Sequence, residues 1–235
     1  MELQNDKTIL YSNFTFLADE IPAKDCKMIV QEYINNPMLI NGLKFDIRIY
    51  VLMTSIEPLR LYIFEDGLVR FATKSYSNKM EDLCDHYIHL TNYTINKDNP
   101  SFVHSEQPDE FTGHKWSLKT LWRYFERVLN KEWRPVWEET KEVCVKTLAC
   151  GHHHIQREVA TKIGSHYNCY KLFGFDVMFD DKLKPWLIEV NNIPSLFTNT
   201  VDCAVNRIEF LNFDIEILNG GLKKTKQYLK YSSNV

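Results

Sequence analysis

The residues best suited to chemistry lie in two neighbouring segments, CYKLFGFDVMFD (169–180) and KPWLIEVN (184–191). Asp176 sits in the first, Glu189 and Asn191 in the second. Strand alternation puts Leu187, Glu189 and Asn191 on one face, and Trp186, Ile188 and Val190 on the other. Asp180-Asp181 reads as the turn that folds the two strands together, which brings Asp176 towards the Glu189–Asn191 region. Two carboxylates and an amide oxygen then share one place. Crowded carboxylates repel each other without a cation. Such oxygen ligands suit Mg²⁺, especially where phosphate oxygens complete its shell. The plainer reading is acidic strand ends facing water, and spacing alone leaves both open.

A second set lies in KFDIRIYVLMTS (44–55), the cleanest strand pattern in the chain. Phe45, Ile47, Ile49 and Val51 point one way, while Lys44, Asp46, Arg48 and Tyr50 point the other. The polar face is either a solvated outer surface with cross-strand ion pairs or the wall of a phosphate-binding cleft. Arg70, in LVRF, is a further cation within reach of that wall. Together these groups could neutralise a triphosphate and its metal.

These residues need a sheet to hold them. MIVQEYI (28–34) reads as a buried strand ended by Asn35-Asn36-Pro37. LRLYIF (59–64) and LVRFAT (68–73) read as a hairpin closed at Asp66-Gly67. Residues 74–115 are polar and loop-rich. Ser117 can cap a helix over 117–130, whose apolar face is Leu118, Leu121, Trp122, Phe125 and Leu129. A second helix starts near Pro135 and runs to about Cys150. Residues 152–166 fit a helix less clearly. Trp116, Trp122, Tyr124, Phe125, Trp133 and Trp137 suit a core better than a ligand cage.

The totals narrow the class. With 235 residues, 44% hydrophobic and 25% charged, the chain has ordinary globular composition. A net charge of -3 gives no overall basic field for nucleic acid. The six cysteines include no C-x-x-C pair and read as reduced cytosolic thiols. No stretch has the ~18 apolar residues of a membrane span, and the start has no signal-peptide pattern. The expectation is a soluble, intracellular protein.

Three other features carry competing readings. Gly151-His152-His153-His154 could offer zinc ligands, but surface histidines in a linker fit better. Lys119, Arg123 and Arg127 form a stripe at helical spacing, either a solvated face or a dock for an acidic peptide. Lys223, Lys224, Lys226 and Lys230 give the end of the chain a basic, loosely held character.

Several of these stretches, taken in order, resemble the tubulin tyrosine ligase-like family. They are VQEYINNPMLINGLKFDIRIYVLMTS (30–55), PLRLYIFEDGLVRFAT (58–73), HLTNYTINK (89–97) and LFGFDVMFDDKLKPWLIEVNNIPSL (172–196). GHKWSLKTLWRYF (113–125) is most similar to the polyglutamylase branch. The resemblance implies an α+β, ATP-grasp fold of antiparallel sheets flanked by helices. It implies ATP and Mg²⁺ as cofactors and ligation of an amino acid, glutamate, to acidic tubulin tails through an acyl phosphate. It further implies a monomer on microtubules in the cytoplasm, cilium or basal body. By resemblance Gln31, Tyr33 and Ile34 hold adenine, and Lys44, Asp46, Thr91 and Asn92 line the nucleotide. Arg48 and Arg70 stabilise developing charge, and Asp176, Glu189 and Asn191 hold Mg²⁺. The family's Gly-rich phosphate loop has no counterpart in residues 1–27, which contain no glycine. The chain therefore reads as an unassigned segment (1–27), the central and C-terminal ATP-grasp portion (28–218) and a basic tail (219–235), with the N-terminal part of the fold missing. Glycylating, tyrosinating or non-catalytic microtubule-binding relatives are the alternatives.

Overall fold

The alternating segment at 44–55 is the central strand of the molecule. A computed structural model describes residues 32–104, 111–162, 170–196 and 230–232. Its strands are β1 (Leu39–Ile40), β2 (Leu43–Ser55), β3 (Arg60–Phe71), β4 (Lys115–Ser117), β5 (Lys171–Phe179), β6 (Pro185–Asn191) and β7 (Lys230–Ser232). They form one antiparallel sheet in the order β4-β3-β2-β5-β6, with β1 also paired to β2 and β7 to β3. Asn41 and Gly42, with φ of 52° and 77°, close the β1–β2 hairpin. That conformation suits the Asn-Gly pair.

One face of β2 enters the core as alternation requires. Phe45, Ile47, Ile49, Val51 and Met53 pack with Phe71, Phe173, Phe175, Val177 and Phe179. Helix α3 (Leu118–Arg127) lies on this side, with Leu118, Leu121, Trp122, Tyr124 and Phe125 buried. Ser117 caps it, its hydroxyl accepting from the Thr120 N–H. Trp116, Trp122, Tyr124, Phe125 and Trp137 join the core, with Trp133 packed against it.

The structure corrects the reading of Asp66-Gly67. β3 runs straight through this pair, so 59–64 and 68–73 are one strand rather than a hairpin. Gly67 pairs with Ile49 beside an irregularity in the β2–β3 register. A Cβ there would run into the Arg48 carbonyl oxygen, so the glycine permits close approach instead of a turn. Asp66 Oδ1 accepts from the Gly67 N–H at 2.7 Å and the Lys119 N–H at 3.2 Å. The carboxylate thus helps to cap α3.

Other boundaries shift too. Residues 32–34 are not in a strand, and the rest of the expected 28–34 strand lies outside the described residues. α4 is a single 29-residue helix, Arg134–Lys162, passing through Gly151 and the histidines. The histidines therefore sit on a helix and not in a linker. His152 Nε2 donates to the Ile56 carbonyl at 2.7 Å, and Gln156 donates to Glu57 at 2.8 Å. These bonds tie the later turns of α4 to the β2–β3 connection. Glu142–Lys146 and Glu158–Lys162 pairs at i,i+4 support its exposed face.

Residues 74–104 contain two short helices, α1 (His86–His89) and α2 (Tyr93–Asn96). Asn96, fully buried, knits them to the sheet. Its Oδ1 accepts from the Thr73 N–H and hydroxyl, and its Nδ2 donates to the carbonyls of Leu90 and Asn92. At the chain end, Lys230–Ser232 pair with Arg60–Tyr62 instead of hanging loose. Lys223, Lys224, Lys226 and residues 1–27 lie outside the described residues. No helix among the described residues is long and apolar enough to cross a membrane.

Candidate functional site

The polar face of β2 is buried, which removes the solvated-surface reading. Lys44, Asp46 and Arg48 are 7%, 6% and 9% exposed. Strands β3, β5 and β6 extend this face into a cross-strand lattice. Asp46 pairs with Arg70 on β3, Arg48 with Asp176 on β5, and Asp176 with Glu189 on β6. Gly174 pairs with Asn191.

Asp176 is the hub of this lattice and only 2% exposed. Its carboxylate accepts from Arg48 Nε, from Arg48 Nη2 at 2.9 Å, and stands 2.9 Å from Arg70 Nη2. Arg70 also donates to both oxygens of Asp46, one bond measuring 2.8 Å. Burial alone would raise Asp176, but the Arg48 hydrogen bond and the charges of Arg70 and Arg48 hold it below the usual carboxylate range. Arg70 shows the same balance. Burial opposes its charge, yet Asp46 and Asp176 raise it overall.

Glu189 meets the opposite environment. It faces Asp176 across the β5–β6 pair, and desolvation followed by the neighbouring Asp176 carboxylate pushes it up. Asn191 Nδ2 donates to Glu189 Oε1 at 2.9 Å. Two carboxylates this close need a proton or a cation between them. An all-oxygen donor set with one carboxylate held anionic and its neighbour strained fits a hard divalent ion. Asp176, Glu189 and Asn191 are therefore a chemically suitable set for Mg²⁺.

The hairpin that gathers them departs from simple alternation. The β5–β6 register shifts after Asp176, so Asp176 faces Glu189 while Val177 faces Leu187. Ile188 is the extra residue, and it is 45% exposed. Leu187 joins Val190 against the core, although alternation placed it beside Glu189. The bulge lets β6 present apolar groups on one side and still aim Glu189 and Asn191 at Asp176.

Residues after β6 close over the same corner. Tyr50 donates to the Ser195 carbonyl at 3.0 Å. A Cβ on Gly174 would stand 2.7 Å from Pro194 Cβ and 3.2 Å from Arg48 Nη1. Gly174 is thus the floor on which Pro194 and the Arg48 guanidinium rest.

Lys44 lies farther along the strand in a separate cluster. Its ammonium donates to the Tyr33 hydroxyl at 3.0 Å and the His89 carbonyl at 2.9 Å. Burial lowers it to about 8, partly opposed by Asp46. Tyr33 and Ile34 are half-buried, Thr91 is buried and Asn92 is exposed at the start of α2. Among the described residues, no side-chain hydrogen bond joins Thr91 or Asn92 to the charged lattice. Gln31 lies outside the described residues. Two residues at this face were not singled out as site residues. His89 contacts Tyr33 and Lys44. Lys115 sits on β4 opposite Arg70, 3% exposed, with Nζ 4.9 Å from the Tyr93 ring centroid. A three-residue strand shows no period, so its sequence gave no sign of this. Lys119 of the expected stripe is engaged by Asp66 at 3.5 Å.

An antiparallel sheet carrying a buried lattice of cations and carboxylates, with helices on its apolar face, is the α+β architecture expected of ATP-grasp-like folds. Residues 3–210 match the model of the Tubulin-tyrosine ligase family, and the chain belongs to that family. It is 44% identical over 174 residues to Tubulin monoglutamylase TTLL4 of Mus musculus, covering 74% of this chain and 14% of that protein. It is 39% identical to the mouse Tubulin polyglutamylase TTLL5, covering 72% and 13%. It is 42% identical to the mouse Tubulin polyglutamylase TTLL6, covering 76% and 21%. The chain thus spans less than a quarter of the length of these relatives.

Proposed function

We propose that this chain carries the metal and phosphate face of an ATP- and Mg²⁺-dependent ligase that joins glutamate to the acidic tails of tubulin. The observation that carries the reading is the cross-strand row Arg48–Asp176–Glu189, with Arg70 bridging Asp176 and Asp46. It pairs fixed cations with a carboxylate couple suited to a cation. The glutamylase names of the relatives supply the substrate class.

In the proposed reaction a tubulin carboxylate takes the γ-phosphoryl group of ATP, and the amine of glutamate then displaces phosphate to form the amide. Mg²⁺ supplies charge neutralisation at the phosphate oxygens when bound. Asp176, held anionic by two arginines, and Glu189 would be its carboxylate ligands, with Asn191 Oδ1 beside them. Arg48 and Arg70 are fixed by their carboxylate partners, so they meet developing negative charge without reorganising. Lys44 presents a buried ammonium to the nucleotide, and Tyr33 and Ile34 lie against adenine. No cysteine is needed as a nucleophile, and Cys144, the buried one among the described residues, is pushed up to about 12 by burial.

The test is transfer of labelled glutamate to tubulin by the full chain with ATP and Mg²⁺. Transfer that needs both, and is lost in Glu189→Gln, supports the assignment. Unchanged transfer in that variant refutes the metal role. Microtubule co-pelleting without transfer favours a non-catalytic binder, and transfer of glycine or tyrosine in place of glutamate reassigns the substrate.

A further inference from the structure

We infer that His89 is a positioning residue for Lys44, acting through the Tyr33 hydroxyl in a relay that works with the ring in its Nε2–H tautomer. The functional consequence rests on the proposed role of Lys44 at the nucleotide. The geometry does not. His89 is 2% exposed, and its Nε2 lies 3.1 Å from the Asp82 carbonyl oxygen. A carbonyl only accepts, so Nε2 must carry the hydrogen and donate. In the neutral ring Nδ1 is then a bare acceptor. The Tyr33 oxygen is 2.8 Å from Nδ1, so its hydroxyl donates there. Tyr76 offers that hydroxyl a second acceptor, but a lone pair facing a lone pair at 2.8 Å would repel. With its proton committed, the Tyr33 oxygen accepts from Lys44 Nζ at 3.0 Å.

The same histidine engages Lys44 a second time through its carbonyl, at 2.9 Å. An ammonium has three N–H donors. Tyr33 and the His89 carbonyl take two and leave one for a phosphate oxygen. Ring packing fixes the assembly. His89 meets Tyr33 edge-on at 5.7 Å and Tyr76 edge-on at 5.8 Å, while the ammonium lies 4.7 Å from the Tyr33 centroid. The relay therefore joins the segment expected to hold adenine, strand β2 and helix α1.

Protonation would break this order. Nδ1 would become a donor facing the Tyr33 hydroxyl, and a second cation would stand beside Lys44. The groups facing the ring are Lys44, Tyr33, Tyr76, Asp82 and Asp85. Burial and then the charge of Lys44 hold the ring's pKa below its ordinary 6.5, so the neutral relay prevails near neutrality.

Two measurements on the full chain test the inference. Histidine ¹⁵N NMR should give His89 as the Nε2–H tautomer with an unprotonated, hydrogen-bonded Nδ1. An Nδ1–H tautomer overturns the relay whether or not nucleotide binds. Mg·ATP titration should show His89→Leu and Tyr33→Phe each weakening affinity about tenfold, the scale of one hydrogen bond to a charged group. The double variant should lose no more than either single one. The parent's affinity should fall on the acid side as His89 protonates, and His89→Asn, whose Oδ1 stands in for Nδ1, should recover most of the affinity and abolish that fall. Additive losses, or equal losses in His89→Asn and His89→Leu, overturn the positioning role. Absence of Mg·ATP binding by the unaltered chain refutes the proposed function instead, and the tautomer then decides the relay alone.

Discussion

Asp176 and Glu189 lie side by side, yet their removal should act oppositely on stability. In Asp176→Ala, Arg48 loses both of its carboxylate hydrogen bonds, and Arg70 keeps only its Asp46 partner. Arg48 is 9% exposed, so its charge remains buried beside an empty site. Breaking a buried ion pair from one side costs about 3–5 kcal/mol. For a chain of this size that lowers the melting temperature by on the order of 10 °C. Glu189→Gln removes a like charge from Asp176 and keeps an amide in its place, so stability should hold or rise near neutrality. The pH dependences separate the two further. Asp176 titrates below its unfolded value of 3.8, so its contribution is present above 3.8 and fades as pH falls through the lower folded value. Glu189 titrates above its unfolded 4.5, so its contribution is full below 4.5 and is lost as pH rises through the higher folded value. Urea unfolding of the parent and both variants across pH 3–8 measures this. A loss below about 1 kcal/mol in Asp176→Ala, the scale of a surface pair, would refute the lattice.

Gly174→Ala should leave secondary structure unchanged but displace Arg48, because the new Cβ meets Pro194 and the guanidinium. Under the proposed reaction, glutamate transfer should then fall by about 100-fold, the scale of a 1 Å misplacement, and unchanged transfer would count against Arg48 placement. Asp66 is raised to about 6, chiefly by burial, partly opposed by Lys119, whose ammonium stands 3.5 Å from the Oδ2 that makes no hydrogen bond. Its contribution is full below 3.8 and lost as pH rises through about 6, so Asp66→Asn should stabilise at pH 7.5 by ~1–3 kcal/mol and have no effect below pH 3.8. Destabilisation at pH 7.5 would show that the charge itself is needed at the α3 cap. A thiol reagent at pH 8 should label exposed Cys84 and Cys150 and reach buried Cys144 only on unfolding. Equal rates for all three would contradict the packing of α4.

The parts of this fold legible in sequence were those set by local period. Strand β2 alternates from Lys44 to Val51, and the 169–191 hairpin carries its own turn, so both faces of that stretch and the approach of Asp176 to Glu189 followed directly. Asp66-Gly67 misled because its decisive partner, the Lys119 N–H, is 53 positions away. No local rule distinguishes a tight turn from a glycine that admits a neighbouring backbone. The bulge at Ile188 was invisible for a similar reason, since the β5 partner sets the register. Burial of Lys44, Asp46 and Arg48 depends on segments far along the chain, including His89 and Ser195. His89 itself looked like one letter of a motif until Tyr33, Lys44 and Asp82 surrounded it.

The most direct measurement of the central claim is metal binding at the Asp176–Glu189 couple. Mn²⁺ in place of Mg²⁺ can be titrated into the full chain with ATP and followed by electron paramagnetic resonance. The expected result is ATP-dependent Mn²⁺ binding that is lost in Glu189→Gln and in Asp176→Asn. Equal Mn²⁺ affinity in the parent and both variants would contradict it.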